Sequence, residues 1–91
     1  MKQPVQKLLQ RHKNLTHSGH VKVTSHVQRQ VDDWIINTLM IEGQNVPFRY
    51  KRKRLYRNLE GQRVNLTYYA DIESVAGIEM EVMKVVRIKL S

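Results

Sequence analysis

The sequence contains no cysteine. That excludes disulfides and thiolate metal sites, and it removes the most reactive side-chain nucleophile. A small secreted domain is usually stapled by disulfides, so a cysteine-free chain of this size is expected in the cytosol, held together by packing. Long apolar runs are missing as well. The longest, Trp34–Ile36 and Leu39–Ile41, are interrupted by Asn37 and Thr38, far short of the roughly 18 residues of a membrane helix. The N-terminus has charge but no apolar stretch behind it, so no secretory signal is expected. Glycine is scarce and scattered, with 4 in the chain, and no phosphate-cradling glycine loop exists. There is no Gly-x-Ser-x-Gly elbow, and Ser18, Ser25, Ser74 and Ser91 show no paired base. These gaps argue against an enzyme, and they call for no cofactor.

Acid is lacking from the first third. Residues 1–31 carry Lys2, Lys7, Arg11, Lys13, Lys22 and Arg29 without one Asp or Glu, and all four histidines (His12, His17, His20, His26) lie there too. Over the whole chain 16 Lys and Arg face 8 Asp and Glu, and the sequence pI is about 10.1. Such a balance is the electrostatic footprint of a nucleic-acid binder, although charge speaks to partners and not to fold. The chain of 91 residues is long enough for one domain. It reads as a basic N-terminal arm over 1–20, helical or disordered, followed by one small β-barrel domain over 21–91.

Apolar alternation supplies the strands. Residues 5–13 have helical spacing behind Pro4, and Asn14–Gly19 reads as a break. Val21, Val23 and Val27 suit the inward side of a strand. Residues 25–33 fit either a strand or a helix capped by Ser25; from Trp34 to Glu42 the β-branched and aromatic content favours a strand. Gly43-Gln44-Asn45 marks a hairpin turn. Its second arm, Val46 to about Arg54, sets Val46, Phe48 and Tyr50 on one side and Arg49, Lys51 and Lys53 on the other. Pro47 lacks an amide hydrogen and points to a sheet edge. A turn around Gly61 precedes a strand with Val64, Leu66 and Tyr68 inward, and Ala70–Gly77 reads as a connection. In the last strand Ile78, Met80, Val82, Val86, Ile88 and Leu90 share one parity, with Lys84–Val85 marking a bulge. Four to five short strands with glycine turns predict a mainly β fold, a small antiparallel barrel or roll. OB-like and SH3-like barrels are the obvious patterns, and the sequence does not choose between them.

The densest constellation is Phe48-Arg-Tyr-Lys-Arg-Lys-Arg-Leu-Tyr-Arg57. On a strand, Arg49, Lys51 and Lys53 repeat every 6.6–7 Å or so, close to the spacing of phosphates along an extended single strand. Tyr50 or Tyr56 would stack on a base, and Arg52, Arg54 and Arg57 add cations. The bland alternative is a solvated outer strand whose charges discourage edge-to-edge pairing. Arg11, Lys13, Lys22 and Arg29 would extend the footprint. His17 and His20 stand three apart, but no carboxylate in the arm completes a metal site. Glu79 and Glu81 share a strand face, most simply as an outward balance to Arg87 and Lys89. Trp34, Tyr68 and Tyr69 read as core or its rim, and the adjacent tyrosines must point to opposite faces.

The segments Ile36-Asn-Thr-Leu39, Glu42-Gly43, Val46-Pro-Phe-Arg-Tyr-Lys-Arg-Lys53, Gly61-x-Arg-Val-Asn-Leu-Thr-Tyr-Tyr69 and Glu81-Val-Met-Lys-Val-Val-Arg-Ile88 together resemble a group of short uncharacterised bacterial proteins. The resemblance implies a bacterial cytosolic origin and no particular activity. The expected function is therefore a module binding RNA or single-stranded DNA with low sequence preference, since phosphate contacts carry no base information. The competing expectation is a protein-interaction module, taking a protein partner or a second copy through a strand edge. No membrane partner is expected.

Overall fold

The computed structural model describes residues 15–55 and 57–91. Five strands follow one another: β1 (Thr16–Val31), β2 (Trp34–Ile41), β3 (Phe48–Arg52), β4 (Arg63–Val75) and β5 (Ile78–Leu90). They close into one ring in the order β1-β2-β3-β5-β4, with β4 returning to β1. No helix occurs among the described residues; of residues 25–33, those up to Val31 are strand and Asp32–Asp33 form the turn into β2. The helical spacing over 5–13 lies outside the described residues.

Closure depends on β1, which pairs with β4 through Thr16–Lys22 and with β2 through Val23–Val31. Two irregularities bend it. One falls between Ser18 and Val21, where His20 adopts a φ of 56°. The other inserts Thr24 between Val23 and Ser25. Each extra residue bends the strand and steepens its twist, which a small closed barrel requires. The break expected at Asn14–Gly19 is thus a bulged strand from Thr16 onward, and it places His17 and His20 in the barrel.

The second bulge also reverses the parity of β1. Val23 faces the core before it, His26 faces the core after it, and Val27 turns outward with more than half its surface exposed. Val27 is therefore not an inward residue, as simple alternation predicted. A similar shift lies near the end of β5, where Thr67 pairs with Arg87 and Tyr68 with Val85, leaving Val86 as the extra residue. The expected bulge is present, one residue further on. It breaks the parity set assigned to the last strand: Met83, Val85 and Ile88 pack against the core, whereas Ile78, Met80 and Val86 are exposed.

The core joins Val23, Leu39, Ile41, Phe48, Val64, Leu66 and Tyr68. Phe48 meets Tyr68 edge-on, with ring centroids 4.8 Å apart, an arrangement that adds to the burial of both rings. A polar lock sits beside them. His26 Nε2 donates to Asn37 Oδ1 at 2.8 Å, and His26 Nδ1 accepts the Leu59 amide at 2.9 Å. An amide can only donate, so the imidazole proton belongs on Nε2. His26 is 5% exposed and Asn37 fully buried. His26 thus ties β1 to β2 and to the loop before β4.

One strand pair departs from the antiparallel expectation. β3 and β5 run parallel and pair only at Phe48–Met83 and Arg49–Lys84. Beyond Arg49 the two strands part into a cleft walled by Tyr50, Lys51 and Arg52 on one side and Val85–Ile88 on the other. A second difference concerns Ala70–Gly77. That segment continues β4 to Val75, and a two-residue turn at Ala76–Gly77 leads straight into β5. Both turn residues have positive φ, 52° and 82°, as a tight hairpin of right-twisted strands demands. The outer part of this hairpin extends as a two-stranded ribbon.

Candidate nucleic-acid interface

Antiparallel partners project from the same side of a sheet, so the strand registers fix what the outer face of β1-β2-β3 presents. Val31 stands opposite Trp34, and Lys53 follows directly after β3 on the Trp34 side. The next row is Arg29, Ile36 and Lys51, and the next Val27, Thr38 and Arg49. Across the parallel junction Arg49 neighbours Lys84, which pairs with Tyr69 on β4. The inner counterparts Ile35, Asn37, Leu39 and Phe48 are buried, and the alternation is complete along β2.

Trp34, the single tryptophan of the chain, is 40% exposed. The Lys53 ammonium lies 4.5 Å from its ring centroid and that of Lys51 5.9 Å, both within cation–π range. An aromatic surface and two cations are thereby held together on one face. Lys51, Lys53 and Arg29 are exposed.

The expected binding residues do not form a single surface. Arg49, Lys51, Lys53 and Arg29 come together on this face. Arg52, Arg57 and Tyr50 belong to the cleft between β3 and β5, where they meet Lys89. Tyr50 is on the inner side of β3, half-buried against the core, with the Arg52 guanidinium 5.5 Å over its ring; the aromatic ring on the basic face is that of Trp34. Arg54 is exposed beyond β3, and Lys22 lies away on β1 opposite Arg63. Arg11, Lys13 and Tyr56 lie outside the described residues.

Glu73, which the sequence did not single out, occupies the border of the face. Its carboxylate accepts from Arg49 Nη1 through one oxygen and from Lys84 Nζ at 2.6 Å through the other. The Lys84 hydrogen bond holds the Glu73 carboxyl below the usual carboxylate range. Burial opposes the shift, the charges of Arg49 and Lys84 reinforce it, and Asp71 opposes it again. Glu79 and Glu81 stand opposite Ser74 and Ile72 further along the ribbon and are exposed. A cleft of about 390 Å³ opens beside Glu73, lined among others by Ile36, Lys51, Tyr69 and Val86. His17 bonds Thr67 and His20 bonds Ser91, and no group of three potential metal ligands forms among the described residues.

Sequence reasoning left Trp34 at the core or its rim and did not count it among the binding residues. Tyr68 is buried and Tyr69 half-buried on the opposite face, as two adjacent strand residues must be. Trp34 was legible in principle, because it shares parity with Ile36 and Thr38 and not with Leu39 and Ile41. No protein-family model, no curated protein and no solved structure matches the chain.

Proposed function

We propose that this chain is an OB-like module binding single-stranded RNA or DNA, with little sequence preference, on the outer face of β1-β2-β3. The ring order, with a bent β1 shared between two neighbours and β5 returning beside β3, supports an OB-like reading over an SH3-like one. Barrels of that kind bind oligonucleotides across the strands 2–3 face and the flanking loops. Fold alone fixes no function. The observation that carries the reading is the placement of Trp34 under Lys51 and Lys53, with Arg29 and Arg49 in neighbouring rows. A stacking ring inside an array of cations suits an unpaired strand, whose bases are free to leave their neighbours and whose phosphates meet the ammonium groups. A duplex offers the phosphates without the bases.

Trp34 reports on its own role, because its emission is the chain's only tryptophan signal. Titration with an oligonucleotide of about 12 residues, at low and at moderate salt, is expected to quench it. Affinity should fall as salt rises. Unchanged emission together with unchanged anisotropy of the labelled oligonucleotide at low salt removes the reading. A protein-interaction role is the second reading. What favours it is the ribbon: residues 70–83 contain four acids and no Lys or Arg, and Ile72, Val75, Ile78 and Met80 are exposed there. Sedimentation showing self-association that persists without nucleic acid would favour it.

A further inference from the structure

One edge of the proposed interface is already filled. Arg49 and Lys84 come from different strands, stand in register across the parallel junction, and converge on the two oxygens of one carboxylate. Elsewhere on the face the cations meet an aromatic ring or solvent. The carboxylate comes from β4 beyond Tyr69, where the hairpin leaves the barrel. Arg49 Nε is buried without a hydrogen-bond partner, so Glu73 satisfies this guanidinium incompletely. All three side chains keep between a fifth and a third of their surface exposed, within reach of an incoming anion.

We infer that Arg49 and Lys84 form a phosphate subsite of this face, occupied in the free protein by the Glu73 carboxylate, which a backbone phosphate of the bound strand displaces. The inference rests on the nucleic-acid reading and goes further by naming one subsite and its internal competitor. A phosphate matches what Glu73 now provides, two anionic oxygens bridging a guanidinium and an ammonium, and has a further oxygen for Arg49 Nε. Its neighbours on the strand extend toward Lys51 and Lys53 in the adjoining rows. Because the carboxylate must be expelled first, the free chain binds more weakly than its cation count suggests, and weak anions do not enter.

The test measures binding of a 3′-labelled oligonucleotide, about 12 residues long, with and without a 5′-phosphate, to wild type, Glu73→Gln and Glu73→Ala at low salt. Both variants should bind roughly fivefold tighter than wild type, the scale of one partly exposed ion pair. The gain should disappear when Arg49→Gln is added to Glu73→Gln. It should be equal for both oligonucleotides, because a backbone phosphate is the occupant; a gain seen only with the 5′-phosphate overturns that assignment. Unchanged or weaker binding by both folded variants, while Lys51→Ala still weakens wild type, overturns the subsite and leaves the wider reading standing. Loss of binding by wild type and all variants ends both. A readout independent of variant folding is the side-chain carboxyl ¹³C resonance of Glu73 in the wild-type chain. Saturating oligonucleotide should shift it, and an unmoved resonance overturns the displacement.

Discussion

The outer face of β1-β2-β3 and the ribbon at the far end of β4-β5 are both exposed sheet, yet they carry opposite chemistry. The face presents Arg29, Lys51, Lys53 and Arg49 around Trp34. The ribbon presents Asp71, Glu73, Glu79 and Glu81 around Ile72, Val75, Ile78 and Met80. On the face, the outward residues of β2 are backed by the buried Ile35, Asn37, Leu39 and Ile41. On the ribbon, apolar side chains on both sides meet solvent. A small domain has one core, and strand residues beyond its reach must find their stability in the hairpin ladder itself, or their purpose in a partner.

The largest test of this contrast concerns stability. Phe48→Ala removes a fully buried ring that meets Tyr68 edge-on, and should cost about 3–5 kcal/mol. Ile78→Ala removes a side chain that is 65% exposed, and should stay within roughly 0.5 kcal/mol. Urea unfolding of both variants checks the pair. Similar losses would mean that the ribbon is packed against something the barrel relies on, and the contrast would fail.

Binding is the second test. Trp34→Ala is expected to weaken single-strand affinity by about 1–3 kcal/mol, the range for losing one base stack, whereas Met80→Ser on the ribbon should leave it unchanged. Anisotropy at constant salt reads both. Comparable losses would move the interface toward the ribbon and dissolve the assignment of the basic face.

Where the sequence was readable, two faces of one strand differed in kind. Phe48 and Tyr50 against Arg49 and Lys51 gave β3 at once, and Val64, Leu66 and Tyr68 gave β4, because burial imposes a period of two. The failures sit where that period slips or stops. Thr24 adds one residue to β1 and sends Val27 outward, and nothing local in Val-Thr-Ser-His announces it. Val86 does the same in β5. Ile78 and Met80 lie on the side of Glu73 and Lys84, opposite to Met83 and Val85 that pack on the core, so counting parity back from Ile88 across the bulge placed them on the wrong side. Glu73 escaped notice because its partners lie on β3 and β5, and only closure of the ring brings them together. The charge of 48–57 was visible; its division between an outer face and an inner cleft required the register.

The third test tightens the ribbon alone. Ala76 holds a φ of 52°, a left-handed conformation that costs an ordinary residue of order 1 kcal/mol. Asn tolerates it, and Asn-Gly is the favoured pair for such a turn. Ala76→Asn should therefore stabilise the hairpin by up to about 1 kcal/mol, seen as slower amide exchange at Ile72–Met80 with oligonucleotide affinity unaltered. Exchange slowed equally across β1 and β2 would show that ribbon and barrel open as one unit.

The smallest effect lies where the two regions touch. In the folded chain Glu73 is held below the ordinary range of a carboxyl, first by the Lys84 hydrogen bond. A group whose folded pKa is depressed contributes stability that is present above its unfolded pKa and lost as pH falls through the folded value. Wild type should therefore exceed Glu73→Gln in stability at neutral pH, and that margin should shrink on acidification below the usual carboxylate range, as Glu73 becomes protonated. Thermal melting of both proteins from neutrality to about pH 3 measures the margin. Its constancy would mean that the carboxylate charge contributes nothing to holding ribbon against face. A margin that closes would show that the contact between the acidic and basic regions is electrostatic, and that the charge separated along this chain is joined at Glu73.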